Sequence, residues 1–110
     1  MAYDEKLAGQ VRAVVEGRRG ISEKKMFGGL AFLVNGHMAC GLIGNELMVR
    51  VGPEAYAAAL KKPGAREMDF TGRPMKGMVY VRPRGIRPAS KLEAWVEQGL
   101  SYARSLPPKS

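Results

Sequence analysis

The stretch that decides the fold is Lys25-Met26-Phe27-Gly28-Gly29-Leu30-Ala31-Phe32, which sets two adjacent glycines inside an apolar run. The run otherwise has the pattern of a β-strand. A glycine inside a strand has no side chain to pack, and it often marks a bulge or a close approach of another group. We therefore expect Gly28 and Gly29 to have a structural or a functional role.

Two turn signals follow this stretch and predict three consecutive antiparallel strands. Asn35-Gly36 between apolar runs is the strongest short hairpin signal, because a type I′ turn needs positive φ at both central residues. Gly44-Asn45 is the second turn signal. The predicted strands cover residues 25–34, 37–43 and 46–51.

Three helices and two more strands are predicted around this hairpin unit. The third helix begins with a capping box, in which Ser90 and Glu93 bond free backbone N–H groups. It carries Gly99 on its buried side, where glycine should let the helix approach its neighbour closely. The helices cover residues 4–16, 54–61 and 90–106, and the added strands cover 66–70 and 78–82, joined by a loop over 71–77. This α-β-β-β-α-β-β-α order predicts one domain over residues 1–110, an α+β fold of two layers with an antiparallel sheet and helices on one face.

The turns also predict which side chains share a face of the sheet, because side chains alternate along a strand. One wholly apolar face should be the helix-covered core, and it carries Gly29, Ala31, Leu33, Met38, Cys40, Leu42, Leu47, Val49 and Val51. The other face should carry a largely apolar group that includes Leu30, Phe32, Val34, Met48 and Arg50. An apolar patch of that size in water usually marks an interaction surface, so this group predicts a homodimer interface. The alternative is that a loop or helix of the same chain covers the group.

The charge balance favours anionic partners. The chain of 110 residues has 18 basic and 10 acidic residues, a net charge of +8, which favours nucleic acid first. Six basic residues follow one another without an acidic residue among them: Arg73, Lys76, Arg82, Arg84, Arg87 and Lys91. They are the candidate nucleic-acid contacts, and the alternative is a solvated basic edge that discourages aggregation.

Residues that could perform chemistry are few and separated. His37 and Cys40 are the single histidine and the single cysteine, and three residues apart in a strand they point to opposite faces. We therefore predict no catalytic pair, no metal site and no cofactor, with Cys40 as a buried core residue. A lone cysteine, no visible signal peptide and no apolar run near the roughly 20 residues that span a bilayer predict a cytoplasmic protein without a membrane partner.

The opening motif also carries a family resemblance. Residues 25–29 with Phe32, residues 47–51, and residues 78–81 with Pro83 make the chain resemble the TfoX N-terminal domain family, which opens the TfoX/Sxy regulators of competence in bacteria. Met26, Phe27, Gly28 and Gly29 form the most specific part. The resemblance implies a secretion-chaperone-like α+β arrangement and a regulatory, non-enzymatic protein with a transcription-related partner.

Overall fold

The computed structural model describes residues 3–26, 28–67, 77–87 and 89–107, and these form helices and strands of one antiparallel sheet. The helices are α1 (Glu5–Val15), α2 (Tyr56–Leu60) and α3 (Ala89–Ser105), with a 3-10 turn at Pro83–Gly85. The strands are β1 (Ile21–Met26), β2 (Gly29–Val34), β3 (His37–Ile43), β4 (Glu46–Arg50), β5 (Ala65–Glu67) and β6 (Met78–Val81). Their order across the sheet is β1-β2-β3-β4-β6-β5, and every neighbouring pair is antiparallel.

The predicted first strand over residues 25–34 is two strands in the structure. Gly28 has a φ of 74° and turns the chain between β1 and β2, which pair antiparallel from Ile21↔Val34 to Met26↔Gly29. The prediction missed β1 because its sequence, ISEKKM, is mostly polar, as suits a strand at the edge of a sheet. The observed order is therefore α-β-β-β-β-α-β-β-α, and the predicted α+β class is confirmed.

The helix starts agree with the prediction at α1 and differ from it at α3. The Asp4 carboxylate caps α1 by accepting from the backbone N–H groups of Lys6 at 2.9 Å and Leu7 at 3.3 Å. Helix α3 already begins at Ala89, so Ser90 is its second residue. The predicted capping box of Ser90 and Glu93 was therefore wrong.

The second helix and the fifth strand are shorter than predicted. Helix α2 covers five residues, and the chain before it forms a turn rather than the helix predicted from residue 54 onward. Strand β5 is described over three residues. The remainder of the predicted strand over 66–70, and the loop over 71–77 except Gly77, lie outside the described residues.

A β-bulge in β3 changes the predicted faces of the sheet. The pairs Val34↔His37 and Leu33↔Met38 next to the turn are those predicted, but the following pair is Phe32↔Cys40. Ala39 is therefore an extra residue in β3, and the alternation of β3 relative to β2 shifts by one beyond it.

The helix-covered face consequently holds residues that were predicted to lie on the other side. Leu30, Phe32 and Val34 are 3%, 0% and 0% exposed and belong to the main core, so their predicted place in an exposed interface was wrong. Cys40, Leu42, Leu47, Val49 and Val51 lie in this core as predicted. Ala31, Leu33 and Met38 were predicted on the same face, but the bulge places them on the opposite one. The helices contribute Leu7, Ala8, Val11, Val15, Ala59, Leu92, Trp95, Val96, Leu100 and Ala103 to it.

Candidate functional site

The second face of the sheet, which lies opposite the helices, has an apolar centre. The pairing of the six strands aligns one residue from each strand in a row across this face: Lys24, Ala31, Gly41, Met48, Tyr80 and Arg66. Leu33 and Met38 lie on one side of this central row, and Ile43 lies on the other. The row is therefore apolar in the middle and positively charged at both ends.

The side chains of the second face form a small core of their own. Met48, Met78 and Tyr80 are 0%, 9% and 6% exposed, and the half-buried Met38 and Ile43 pack against them. A Cβ at Gly41 would lie 2.8 Å from Cε of Met48, so the methionine side chain reaches across the space that glycine leaves free. Sequence reasoning missed Met78 and Tyr80 as neighbours of Met48, because the β4–β6 pairing joins strands that are not consecutive.

An ion pair and an aromatic ring fix the outer end of the central row. The guanidinium of Arg66 donates to both carboxylate oxygens of Glu46, from Nε at 3.0 Å and from Nη2 at 3.2 Å. The same group lies 4.4 Å above the centre of the Tyr80 ring. Stacking and a bidentate ion pair together hold Arg66 in one place at the rim of the second face.

The two motif glycines have different structural causes. Gly28 has a positive φ, and a Cβ there would have no atom within 4 Å, so backbone conformation alone favours glycine. A Cβ at Gly29 would collide with the carbonyl oxygen of Leu42 and would lie 2.9 Å from Ile43 Cγ1, so close strand packing favours glycine there. Of the other motif residues, Met26 is described as the end of β1, and Phe27 lies outside the described residues.

Cys40 and His37 do not form a reactive pair. Cys40 is fully buried between Phe32 and Val49, and burial raises the pKa of its thiol to about 12. His37 lies at the start of β3, where Nε2 is 2.5 Å from the carbonyl oxygen of Pro107. No group of three or more metal-ligating side chains occurs within the described ranges.

The described part of the basic segment lies on the surface. Arg82 follows β6, Arg84 lies in the 3-10 turn, Arg87 precedes α3, and Lys91 lies in the first turn of α3. All four side chains are exposed, and none forms an ion pair with another described residue. The structure thus groups these four around the junction of β6 with α3, whereas Arg73 and Lys76 lie outside the described residues.

The ion pairs of the described residues lie elsewhere. Arg12 of α1 pairs with Glu23 of β1 at 2.9 Å, and Arg18 pairs with Glu97 of α3. The hydrogen bond from Arg18 lowers the pKa of the Glu97 carboxyl. These contacts tie α1 and the loop after it to the sheet and to α3. Among the described residues, they provide no ion-pair partner for Arg82, Arg84, Arg87 or Lys91.

The sequence of the chain matches a known family of domains. The model of the TfoX N-terminal domain matches residues 13–103, and the chain therefore belongs to the TfoX N-terminal domain family. No curated protein and no solved structure matches the chain. The likeness to secretion chaperones stays a prediction for that reason. No described helix is long and apolar enough to cross a bilayer.

Proposed function

We propose that this chain is a regulatory, protein-interaction domain without catalytic activity, and that it acts as a homodimer in the cytoplasm. The observation that carries the proposal is the apolar second face, where Leu33, Met38 and Ile43 are half-buried in the single chain. A sheet face in contact with water normally alternates to mostly polar residues. On this face the half-buried residues around Met48 are apolar as well, which is typical of an association surface.

A second copy is the proposed occupant because a two-fold contact covers the same patch on both chains. Such a contact would place Leu33, Met38 and Ile43 at its centre. The paired Arg66 and Glu46 would lie at its rim, where polar groups remain hydrated. The interface revised in this way keeps Met48, and it replaces Leu30, Phe32 and Val34 with residues that the single chain leaves accessible. Arg50 pairs opposite Met78 in the sheet, but it is left out of the revised interface because its guanidinium lies 5.6 Å from the centre of the Tyr102 ring in α3.

The proposed absence of catalysis is supported by the placement of the reactive groups. The thiol of Cys40 is buried, with a raised pKa. The ring of His37 contacts the carbonyl oxygen of Pro107, and among the described residues His37 belongs to no cluster of metal-ligating side chains. Membership of the TfoX N-terminal domain family supports a regulatory role. A transcription-related protein is the proposed further partner, and the cytoplasmic location accords with a free, buried cysteine.

Sedimentation equilibrium over a wide range of protein concentration tests the homodimer. The expected result is a two-chain mass that falls to one chain on dilution. A one-chain mass at the highest concentration contradicts the dimer. The regulatory role is tested separately, by pull-down from the native host with the wild-type chain and with a variant altered on the second face.

Nucleic-acid binding is the second candidate function, and the exposed positions of Arg82, Arg84, Arg87 and Lys91 favour it. Phosphate contacts from such side chains position a protein on nucleic acid without reading its sequence. Retention on DNA that weakens steeply as salt rises would support this function over a purely protein-binding role.

A further inference from the structure

A cleft lies between the start of α1 and the segment that leads into α3. It has a volume of about 390 Å³ and is lined by Asp4, Lys6, Leu7, Gln10, Asn45, Pro83, Ile86, Arg87 and Ala89. Three parts of the chain that are distant in sequence meet there: the first turns of α1, the β3–β4 turn, and residues 83–87 with Ala89. The volume falls within the roughly 300–1,000 Å³ that is usual for small-molecule sites.

The cleft is held together by backbone contacts at its base. The backbone N–H of Asp4 donates to the carbonyl oxygen of Gly44 at 2.8 Å, and Tyr3 forms a parallel bridge with the same glycine. On the opposite wall, the N–H of Ile86 donates to the carbonyl oxygen of Pro83 at 3.1 Å. Main-chain hydrogen bonds therefore hold both walls of the cleft in place without a ligand.

The lining combines an apolar floor with a charged mouth. Leu7 and Ile86 are 5% and 9% exposed and form the floor together with Pro83. Lys6 and Arg87 are exposed at the mouth, and neither forms an ion pair with another residue in the part of the chain that the structure describes.

The acidic residue of the lining, Asp4, cancels only part of this charge. One of its carboxylate oxygens, Oδ1, accepts the backbone N–H groups of Lys6 and Leu7 at the end of α1. The side chains of Lys6 and Arg87 leave the lining with an excess of one positive charge, and Gln10 and Asn45 add neutral hydrogen-bonding groups.

We propose that this cleft binds a small organic anion, whose phosphate or carboxylate lies between Lys6 and Arg87 and whose apolar body rests on Leu7, Pro83 and Ile86. Arginine and lysine suit such a group because charge-assisted hydrogen bonds are the strong ones. The amides of Gln10 and Asn45 orient the ligand. The site is separate from the second face of the sheet, so its occupation does not depend on the oligomeric state.

A chemical-shift titration of the 15N-labelled full chain with 1-naphthyl phosphate tests the proposal. The expected result is saturable shifts at the amides of Lys6, Leu7, Asn45, Ile86 and Arg87. Arg87→Gln should weaken the affinity at least about tenfold, because it removes a charge-assisted hydrogen bond. Shifts that do not saturate at these amides would overturn the proposal.

The matched control is Arg84→Gln, which removes one positive charge from the neighbouring 3-10 turn without touching the lining. It should leave the affinity within about twofold of the wild type, since exposed charges that make no contact are largely screened by salt. A loss equal to that of Arg87→Gln would mean that overall charge alone attracts the probe. Both variants alter exposed side chains, and equal unfolding temperatures without ligand verify that each one folds.

Two further probes distinguish the possible sources of the anion. Inorganic phosphate and neutral 1-naphthol should each bind at least about tenfold more weakly than 1-naphthyl phosphate, because each lacks one half of the recognised chemistry. Equal binding by inorganic phosphate contradicts the role of the apolar floor. A deoxyoligonucleotide that shifts the same amides, and that Arg84→Gln weakens as much as Arg87→Gln does, assigns the phosphate to nucleic acid and also overturns the proposal.

Discussion

Gly99 of α3 lies directly against the backbone carbonyl group of Ala39, the bulged residue of β3. A Cβ at position 99 would collide with that oxygen and would also lie 3.4 Å from Val49 Cγ1. The sequence placed Gly99 on the buried side of the helix and predicted a close approach, which the structure confirms. It did not reveal that the partner is an extra residue in a strand.

Gly99→Ala should destabilise the chain although alanine is the better helix former. Alanine in a helix interior gains roughly 0.5–1 kcal/mol over glycine. Overpacking against a backbone that cannot easily move costs about 1–3 kcal/mol. The net loss should be about 1 kcal/mol in the free energy of unfolding, measured with urea.

Gly9→Ala provides the matched control for this substitution. Gly9 lies in α1, is exposed, and would have no atom within 4 Å of a new Cβ. The same exchange should therefore stabilise the chain by up to about 1 kcal/mol. Equal effects at the two positions would show that helix propensity, and not contact with Ala39, decides the outcome.

The motif glycines should respond differently to substitution. Gly28→Asn should cost less than Gly28→Val, because asparagine tolerates positive φ far better than a β-branched residue. Gly29→Ala should destabilise by about 1–3 kcal/mol, because its methyl group would meet the Leu42 carbonyl. Urea unfolding of the three variants measures these differences, and equal losses for Gly28→Asn and Gly28→Val would contradict a conformational cause.

Cys40 should react slowly with a thiol reagent in the folded chain and quickly after denaturation. The thiolate is the reactive form, and burial both blocks access and raises the pKa of the thiol to about 12. Ellman's reagent measures the two rates. Rapid labelling under native conditions would be incompatible with the observed position of Cys40 between Phe32 and Val49.

The same thiol should make stability depend on alkaline pH. The unfolded chain releases the Cys40 proton near its ordinary value of 9.0, and the folded chain retains it to about 12. Because the folded state then binds more protons, the contribution of Cys40 to stability is lost as pH rises from 9, with a slope of at most about 1.4 kcal/mol per pH unit. The stability difference between the wild type and Cys40→Ala should therefore shrink between pH 9 and pH 11 in urea titrations.

Ile43→Lys should convert the proposed dimer into a monomer. Ile43 is half-buried on the second face, and a lysine there would place an unpaired charge in the contact, which costs several kcal/mol. Ala13→Lys on the exposed side of α1 adds the same charge away from this face and should leave the mass unchanged. Light scattering distinguishes the two, and a dimeric Ile43→Lys variant would place the contact elsewhere.

Replacing Arg82, Arg84 and Arg87 with glutamate should abolish nucleic-acid binding if the basic segment carries it. Each lost phosphate contact reduces the salt dependence of the affinity, because fewer counterions are released. The control replaces three exposed residues away from the segment with glutamate, namely Arg19, Lys24 and Lys25. Fluorescence anisotropy with labelled DNA measures both, and equal losses would indicate attraction by net charge alone.

The sequence predicted local features well and long-range pairing poorly. Asn35-Gly36 and Gly44-Asn45 fixed both turns, because these residues tolerate the backbone angles that a hairpin requires. The bulge at Ala39 has no comparable signal, since an apolar alanine fits either face of a strand. One unrecognised residue was sufficient to move Phe32 from the core to a predicted interface.

For the candidate surfaces, too, the sequence predicted the local feature and not the contact between distant segments. The basic residues from Arg82 to Lys91 are exposed as their composition suggests, because charged side chains seldom lose their hydration. The cleft that includes Lys6 and Arg87 was not predicted, because it depends on the β3–β4 turn meeting the start of α1. Contacts between distant segments follow from the complete topology and not from any local pattern.

The bulge also constrains how the length of this chain can change. Deleting Ala39 would leave Leu33 opposite Met38 and Phe32 opposite Cys40, so the hairpin would become regular without moving any side chain to the other face. The carbonyl group that confronts Gly99 would disappear with the deleted residue. A chain with a shorter β3 should therefore accept a larger residue at position 99. Among related chains, loss of the bulged residue in β3 should accompany replacement of the glycine at position 99 of α3.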